Sequence, residues 1–245
     1  MHTISIYPGQ NKNGEKEAFT SLELQSGQML AVVGNTGAGK SRFIQDIEQL
    51  VNKNSISKRT VTLDGKSFAE MPHTAHGLIA HLGQNMRFML DTNVEEFITL
   101  HNACRNKHVA TAQVLELANQ ITPEKISGES LLNMLSGGQS RALMVADIAL
   151  ICDSPIVLID EIENAGIDKV TALNALLNHE KLLIIVTHDP HTALMAQERI
   201  VLQNGGIVKR QKRTEEEEAL YHTMTVQYQK NLLMQQQLRT GEPLL

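Results

Sequence analysis

The sequence predicts an α/β fold with a mostly parallel β-sheet at its core. Three short apolar runs are rich in β-branched residues, as expected of strands buried on both faces of such a sheet: residues 29–33, 156–159 and 182–187. A helical pattern over residues 41–51 follows the first run. Asp189 and Pro190, after the third, are residue types favoured at the N-cap and N1 positions of a helix. Strands that alternate with helices in this way are typical of an α/β core.

Other segments add two features to this core. Residues 4–7, 19–24 and 60–66 have the pattern of antiparallel strands, and Asn204, Gly205 and Gly206 predict a late hairpin within residues 199–209. Between about 88 and 151 the chain is mostly helical, and Thr92 and Glu95 have the spacing of a capping box at its first helix. We therefore expect an antiparallel β portion and a helical insertion in an α/β domain that covers residues 1–210.

The C-terminal segment, residues 211–245, differs in composition and predicts a helical extension to about residue 238. Thr214 and Glu217 fit a capping box, and an acidic run lies where a helix dipole favours negative charge. A stripe of larger side chains then follows at four-residue steps: Leu220, Met224, Tyr228 and Leu232. Two interpretations stay open, namely packing on the chain's own core and contact with a second copy or a partner.

Composition narrows the class of protein. The net charge of −5 gives no electrostatic case for binding nucleic acid. No apolar run approaches the roughly 20 residues that span a bilayer, and the N-terminus lacks the pattern of a signal peptide. Cys104 and Cys152 are too few for a disulfide framework, so we expect reduced thiols. The expected location is the cytoplasm, with docking at the inner face of a membrane only through a partner.

Residues 34–41, GNTGAGKS, match the phosphate-binding pattern G-x-x-x-x-G-K-S between a predicted strand and a predicted helix. Glycines let backbone N–H groups turn toward phosphate oxygens, Lys40 would reach the β and γ phosphates, and Ser41 would bind Mg²⁺. The predicted nucleotide contacts of this P-loop are Gly34, Asn35, Thr36, Gly37, Ala38, Gly39, Lys40, Ser41 and Arg42. The pattern alone does not separate a kinase, a GTPase and a motor-like ATPase.

A second motif, LSGGQ at residues 135–139, precedes an Ala-rich helical run and then IVLIDE. With the P-loop, it makes residues 3 to about 210 resemble the nucleotide-binding domain of the ATP-binding cassette (ABC) superfamily. The resemblance implies a P-loop NTPase fold of the ABC ATPase type, with ATP and Mg²⁺ as cofactors. It also implies a head-to-tail dimer, formed with a second copy or a related ABC subunit, that encloses two ATP molecules.

The resemblance also assigns roles to single residues. Tyr7 would stack on adenine, the alternative being a buried strand tyrosine, and Gln84 would touch Mg²⁺ or the attacking water. The LSGGQ residues would meet the nucleotide of the opposite subunit: Ser136, Gly137, Gly138 and Gln139.

The residues implied for catalysis follow later strands. Asp160 would hold Mg²⁺, Glu161 would act as general base, and His188 would contact the γ-phosphate. The implied catalytic set is Glu161, His188, Gln84 and Lys40, and the implied metal set is Ser41, Gln84 and Asp160.

Three positions depart from the family pattern. Arg42 follows the P-loop where the family has Thr, and Asp147 stands where it has a basic residue. The turn after Glu161 is one residue longer, so either Asp168 or Glu163 is the residue that would contact the other subunit.

Three nearby histidines form a further candidate cluster: His73, His76 and His81. The cluster lacks the cysteines or carboxylates of a metal set, so we interpret it as structural or solvent-facing.

The leading hypothesis for function is an ATP-hydrolysing ABC dimer that drives conformational work, as the ATP-binding subunit of a transporter with a membrane permease. The alternative is a soluble ABC ATPase that remodels or activates a protein or metalloenzyme, or acts in nucleic-acid processing. A nucleotide-gated interaction module without useful turnover is a third possibility. The sequence does not indicate the transported substrate or client.

Overall fold

The computed structural model describes residues 2–71, 77–84, 86–164 and 166–244. The strands are β1 (Thr3–Tyr7), β2 (Leu22–Gln25), β3 (Met29–Val33), β4 (Thr60–Leu63), β5 (Ile79–Leu82), β6 (Ile156–Asp160), β7 (Leu182–Val186), β8 (Glu198–Gln203) and β9 (Gly206–Lys212). The helices are α1 (Lys40–Glu48), α2 (Val94–Arg105), α3 (Thr111–Ile121), α4 (Gly137–Leu150), α5 (Lys169–Asn178), α6 (Pro190–Met195) and α7 (Glu215–Thr240).

The main sheet has the order β5-β6-β7-β3-β8-β9 and is parallel except for the β8–β9 hairpin. A second, antiparallel sheet has the order β2-β1-β4. Helices α2, α3 and α4 are inserted between β5 and β6. The predicted α/β fold, with its antiparallel portion, late hairpin and inserted helices, is confirmed.

The central parallel strands, β3, β6 and β7, are apolar except for Asp160 at the end of β6, because they supply side chains to two cores. In β6, Val157 and Ile159 face the core formed with the inserted helices, whereas Ile156 and Leu158 face the core formed with α1 and the antiparallel sheet. Strands β3 and β7 alternate in the same way. A strand buried on both faces therefore shows no polar alternation.

Two local predictions were wrong at helix ends. Helix α1 ends at Glu48 rather than near residue 51, because Leu50 adopts a left-handed backbone with a φ of 45° and takes its buried side chain out of the helix. The N-cap of α2 is Asn93, whose side chain accepts a hydrogen bond from the Glu96 N–H, whereas Thr92 donates its hydroxyl to the Glu96 carboxylate. The capping pair is thus one residue later than predicted.

Helix α7 begins at the predicted capping box of Thr214 and Glu217 and continues two residues past the expected end. Ion pairs from Arg199 to Glu217 and from Arg213 to Glu218 hold its first turns against the β8–β9 hairpin. Its inner side lies on α6, yet the helix has no fully buried residue among those described. Within the described ranges, no helix combines the length and apolar character needed to cross a membrane.

A buried guanidinium joins the two sheets, helix α1 and the hairpin. Arg59, which is fully buried, donates from Nε and Nη2 to the Glu17 carboxylate at 3.0 and 2.7 Å, and from Nη1 to Asp46 at 3.0 Å. Its Nη2 also donates to the Gly205 carbonyl at 2.7 Å, and Glu17 accepts from the Ile207 N–H. These contacts connect segments that are far apart in the sequence.

His191 of α6 is buried beneath α7. Its Nε2 lies 3.0 Å from the Thr225 hydroxyl, which donates to the Tyr221 carbonyl, so Nε2 carries the hydrogen of this contact. Its Nδ1 is buried without a hydrogen-bond partner among the described residues. Burial, with a contribution from Lys169, lowers the pKa of His191 from its ordinary value of 6.5.

We predict that Arg59→Met lowers the free energy of unfolding by about 3–5 kcal/mol, because the buried Glu17 and Asp46 carboxylates lose their counter-charge. Urea unfolding followed by circular dichroism measures this. The matched control is Arg210→Met, which removes a surface arginine paired with Glu198 and should cost less than about 1 kcal/mol. Equal losses in the two variants would contradict a special role for Arg59.

We predict that His191 makes the protein less stable as the pH falls below about 6.5. A histidine with a lowered pKa in the folded state binds fewer protons there than in the unfolded chain, so acid favours unfolding. The stability difference between wild type and His191→Gln should therefore be larger at pH 7.5 than at pH 5.5 in urea titrations. A difference that stays constant across this range would refute the assignment.

Candidate active site

The P-loop, residues 34–41, connects β3 to α1 with three glycines in backbone conformations that favour glycine. Gly34, Gly37 and Gly39 have φ angles of 153°, 78° and 102°. Helix α1 begins at Lys40, so the N–H groups of its first turn have no helical acceptors and face the loop. Lys40 Nζ donates to the carbonyls of Gly34 at 2.7 Å and Asn35 at 3.2 Å, which places its positive charge within the loop.

The β8–β9 hairpin supports the P-loop from outside. The Gly205 N–H donates to the Ala38 carbonyl at 2.8 Å, and a Cβ on Gly39 would lie 2.8 Å from the Gly205 Cα. Lys12 donates from Nζ to the Gly37 carbonyl at 2.7 Å, and from its N–H to the Asn204 carbonyl at 2.8 Å. Lys12 was not predicted, since no motif marks a lysine that contacts the P-loop backbone.

Ser41 and Arg42 occupy the first turn of α1. Ser41 is exposed, whereas Arg42 donates to Gln45 Oε1 at 3.2 Å along the helix surface. The other predicted contact residues, Asn35 and Thr36, are exposed at the loop tip, and Ala38 is buried. Arg42 thus lies beside the loop rather than within it.

Glu161 is contacted by two of the three side chains predicted to act with it. Gln84, which follows β5, donates from Nε2 to Glu161 Oε2 at 2.7 Å, and His188 Nδ1, which follows β7, lies 3.7 Å from Glu161 Oε1. Glu161 has a φ of 51°, a left-handed conformation that costs a non-glycine residue about 1–3 kcal/mol and occurs most often at functional sites. Three adjacent parallel strands thus bring together three predicted catalytic residues.

Asp160, the last residue of β6, is partly buried beside these groups. Its burial, followed by the nearby Glu161 carboxylate, raises the pKa of Asp160, whereas His81 and Lys40 oppose this rise. A bound cation at this position would relieve the repulsion between the two carboxylates.

Glu163 lies next to His188 in the same chain. Its Oε1 accepts from the Thr187 hydroxyl at 2.8 Å and from the His188 N–H at 3.3 Å, and it lies 3.3 Å from His188 Nδ1. Its Oε2 is buried without a partner among the described residues. The exposed His188 ring therefore lies near two carboxylates, and only Glu161 was predicted there.

Asp168 also makes its contacts within the chain. It caps α5, accepting from the Val170 N–H at 3.1 Å and from the Thr171 hydroxyl at 2.6 Å, and Tyr228 of α7 donates to its Oδ1 at 3.1 Å. Its role toward a second subunit stays a prediction, as does that of Glu163.

The LSGGQ residues form the start of α4. Ser136 and Gln139 make a reciprocal capping box, Ser136 Oγ donates to Glu124 at 2.6 Å, and Gln139 Nε2 donates to the Lys125 carbonyl at 3.0 Å. Gly137 is exposed, with open space where a Cβ would stand, and Gly138 is partly buried. Among the described residues, no hydrogen bond joins this motif to the P-loop.

Arg141, one turn further along α4, links this motif to the segment that carries Gln84. It is buried and donates from Nη2 to the carbonyls of Gly83 at 2.7 Å and Gln84 at 2.6 Å. Burial lowers the pKa of its guanidinium from the usual value. Arg141 was not predicted, although an arginine in an otherwise apolar helix face is a signal for a buried polar contact.

Tyr7 and Asp147 take no part in the P-loop contacts described above. Tyr7 is 41% exposed at the end of β1, so the alternative of a buried strand tyrosine is wrong. It borders a cavity of about 600 Å³ lined also by Lys16, Lys53 and Lys58. Asp147, which stands where the family has a basic residue, is paired with His101: its Oδ1 lies 2.6 Å from His101 Nδ1.

The histidine cluster is only partly described. His73 and His76 lie outside the described residues, and His81 Nδ1 is 3.3 Å from the Glu48 carboxylate. Within the described ranges, no group of three or more His, Cys, Asp or Glu side chains is arranged to hold a metal ion.

The site fits a nucleoside triphosphate with a divalent cation. A glycine turn, a helix N-terminus and the Lys40 ammonium suit phosphate groups. Oxygen ligands from Ser41 and Asp160 suit Mg²⁺, and the crowded Asp160 and Glu161 carboxylates would gain from a cation.

Comparison with known proteins agrees with this geometry. The family model described as ABC transporter matches residues 19–164. An uncharacterized ABC transporter ATP-binding protein of Methanocaldococcus jannaschii is 44% identical over 247 residues, which cover 98% of this chain and 94% of that protein. A solved structure described as the ATP-binding subunit of an ABC transporter matches with a TM-score of 0.65 at 20% sequence identity. The match covers 85% of this chain and 89% of the chain in that structure, and it supports the fold.

More distant relatives are longer. A macrolide export ATP-binding/permease protein of Shigella sonnei is 30% identical, covering 83% of this chain and 32% of that protein. A glutathione/L-cysteine transport system ATP-binding/permease protein of Escherichia coli is 27% identical, covering 83% and 36%. This chain thus spans about a third of the length of these two relatives. The sequence resemblance is confirmed, and the chain belongs to the ABC transporter family of ATP-binding proteins.

Proposed function

We propose that this chain hydrolyses ATP and works as a head-to-tail dimer that drives a partner membrane permease. The single observation that carries the proposal is the convergence of Gln84 and His188 on Glu161 at the carboxyl end of the parallel sheet. Ligands of open parallel sheets bind at this end. The P-loop, at the end of β3, borders the same place.

In the proposed reaction, the Glu161 carboxylate accepts a proton from the water that attacks the γ-phosphate. Gln84 holds that carboxylate through its amide, and His188, whose side chain is 61% exposed, orients the water and the phosphate. Lys40 offsets the charge that develops on the phosphate oxygens. Mg²⁺, when held by Ser41 and Asp160 with Gln84 beside them, would supply further charge neutralisation.

The dimer is supported by the position of the LSGGQ motif on the helical insertion. Its residues bond to Glu124 and Lys125 of their own insertion, while the exposed start of α4 offers backbone N–H groups to an anion. A site built from the P-loop of one copy and the LSGGQ motif of another is complete only in the dimer.

The permease partner is supported by the family and by relatives that are described as ATP-binding/permease proteins. We infer that residues 1–210 form the ATPase domain and residues 211–245 a helical extension. The expected location is the cytoplasm, at the inner face of the membrane. A soluble ABC ATPase that acts on another protein is the second candidate, since α7 carries several exposed apolar side chains: Leu220, Val226, Leu233 and Leu238.

We predict that Glu161→Gln lowers the rate of ATP hydrolysis at least about 100-fold, because the amide cannot accept the proton from water. Binding of ATP should persist, and ATP-dependent dimers should accumulate in light scattering. Glu116→Gln, an exposed glutamate of α3, is the matched control and should behave as wild type. Full turnover by Glu161→Gln would remove Glu161 as the base.

We predict that the full-length chain, purified from its native membrane extract in mild detergent, retains a protein with several membrane spans. Mass spectrometry of the purified complex, with and without ATP, identifies it. Recovery of a soluble enzyme in place of a membrane protein would instead favour the second candidate.

A further inference from the structure

The C-terminal helix α7 contacts the start of α5 through the side chain of Tyr228. The Tyr228 hydroxyl donates to Asp168 Oδ1 at 3.1 Å and accepts from the Lys169 N–H at 3.2 Å. It thereby joins the middle of α7 to the start of α5. Asp168 follows Glu161 by seven residues in the sequence.

Lys169 continues the connection toward His188. Its side chain is buried, and its ammonium lies 4.9 Å from the centre of the Tyr228 ring while it pairs with the Asp189 carboxylate. The buried ammonium thus has an aromatic face on one side and a carboxylate on the other, a favourable environment for a cation.

Asp189 in turn fixes the backbone that carries His188. Its Oδ2 accepts from the Thr192 N–H at 2.8 Å, and its N–H donates to the Thr187 hydroxyl at 3.0 Å. Glu163 holds Thr187 and the His188 N–H from the other side. The backbone of residues 187–189 is therefore held by the Glu163 carboxylate at its start and by the Asp189 carboxylate at its end, and His188 lies between them.

We propose that Tyr228 is a positioning residue for ATP hydrolysis: its hydroxyl fixes the start of α5, from which Lys169 holds Asp189 and so the backbone of His188. This role rests on the proposed function, because the placement of His188 affects turnover only in a chain that hydrolyses ATP. The C-terminal extension is then part of the catalytic unit of this chain.

Contacts other than the Tyr228 hydroxyl hold α7 on the domain. Arg199 and Arg213 pair with the first turns of the helix, and Tyr221 stacks on His191 with ring centroids 5.5 Å apart. Burial and the nearby Asp168 raise the pKa of the Tyr228 hydroxyl, so the phenol stays a hydrogen-bond donor. Removal of this hydroxyl should therefore leave the fold intact.

The test compares Tyr228→Phe with Tyr221→Phe, which lies on the same helix and has no hydroxyl hydrogen bond among the described residues. Steady-state hydrolysis is measured over a range of ATP concentrations. Loss of the bridging hydroxyl should lower kcat about fivefold, the typical effect of one hydrogen bond. KM and ATP binding by the same variant should stay close to wild type, and its unfolding temperature should fall by no more than about 4 °C. Tyr221→Phe should keep the wild-type kcat.

A double-mutant cycle identifies the route. Lys169→Met should lower kcat on its own, and adding Tyr228→Phe to it should change kcat less than about twofold if both act through Asp189. An unchanged kcat in Tyr228→Phe, or fully additive losses, would overturn the proposal. Full ATP hydrolysis by Glu161→Gln would instead overturn the proposed function. The two failures are therefore distinguishable.

Discussion

The buried guanidinium of Arg59 is the interaction on which the geometry of the nucleotide site depends. It binds two carboxylates that belong to a loop of the antiparallel sheet and to α1, and it binds the Gly205 carbonyl of the late hairpin. That hairpin contacts the outer side of the P-loop at Ala38. A charge that has been removed from water at considerable cost thus holds three separate segments at fixed distances, which is the condition a preorganised phosphate site needs.

The parallel sheet provides the second constraint. Side chains that follow adjacent strands meet at one edge, which is why Gln84, Glu161 and His188 are close although they are far apart in sequence. The same edge brings together the carboxylates of Asp160, Glu161 and Glu163. The left-handed backbone of Glu161 adds strain at this point, a combination that stable scaffolds avoid and functional sites retain.

Much of the fold could be predicted because it depends on local patterns. Continuous apolar runs identified the buried strands, and glycine spacing identified the P-loop. The shift of the α2 cap from Thr92 to Asn93 was missed because both residue types cap helices and both have a glutamate three residues later. The contacts of Lys12, Arg141 and Glu163 were missed for another reason. Each joins segments that are separate in sequence, and local spacing carries no information on which backbone groups the fold brings within reach.

The close approach of Gly39 and Gly205 has a consequence for how the sequence can vary. Neither position has a side chain that could shrink to make room for a larger residue at the other, so no compensating change is available at this contact. A larger residue would have to push the hairpin away, and the Arg59 guanidinium would then lose a carbonyl acceptor inside the protein. The tip of a surface hairpin, ordinarily among the most tolerant parts of a protein, is here as restricted as the core.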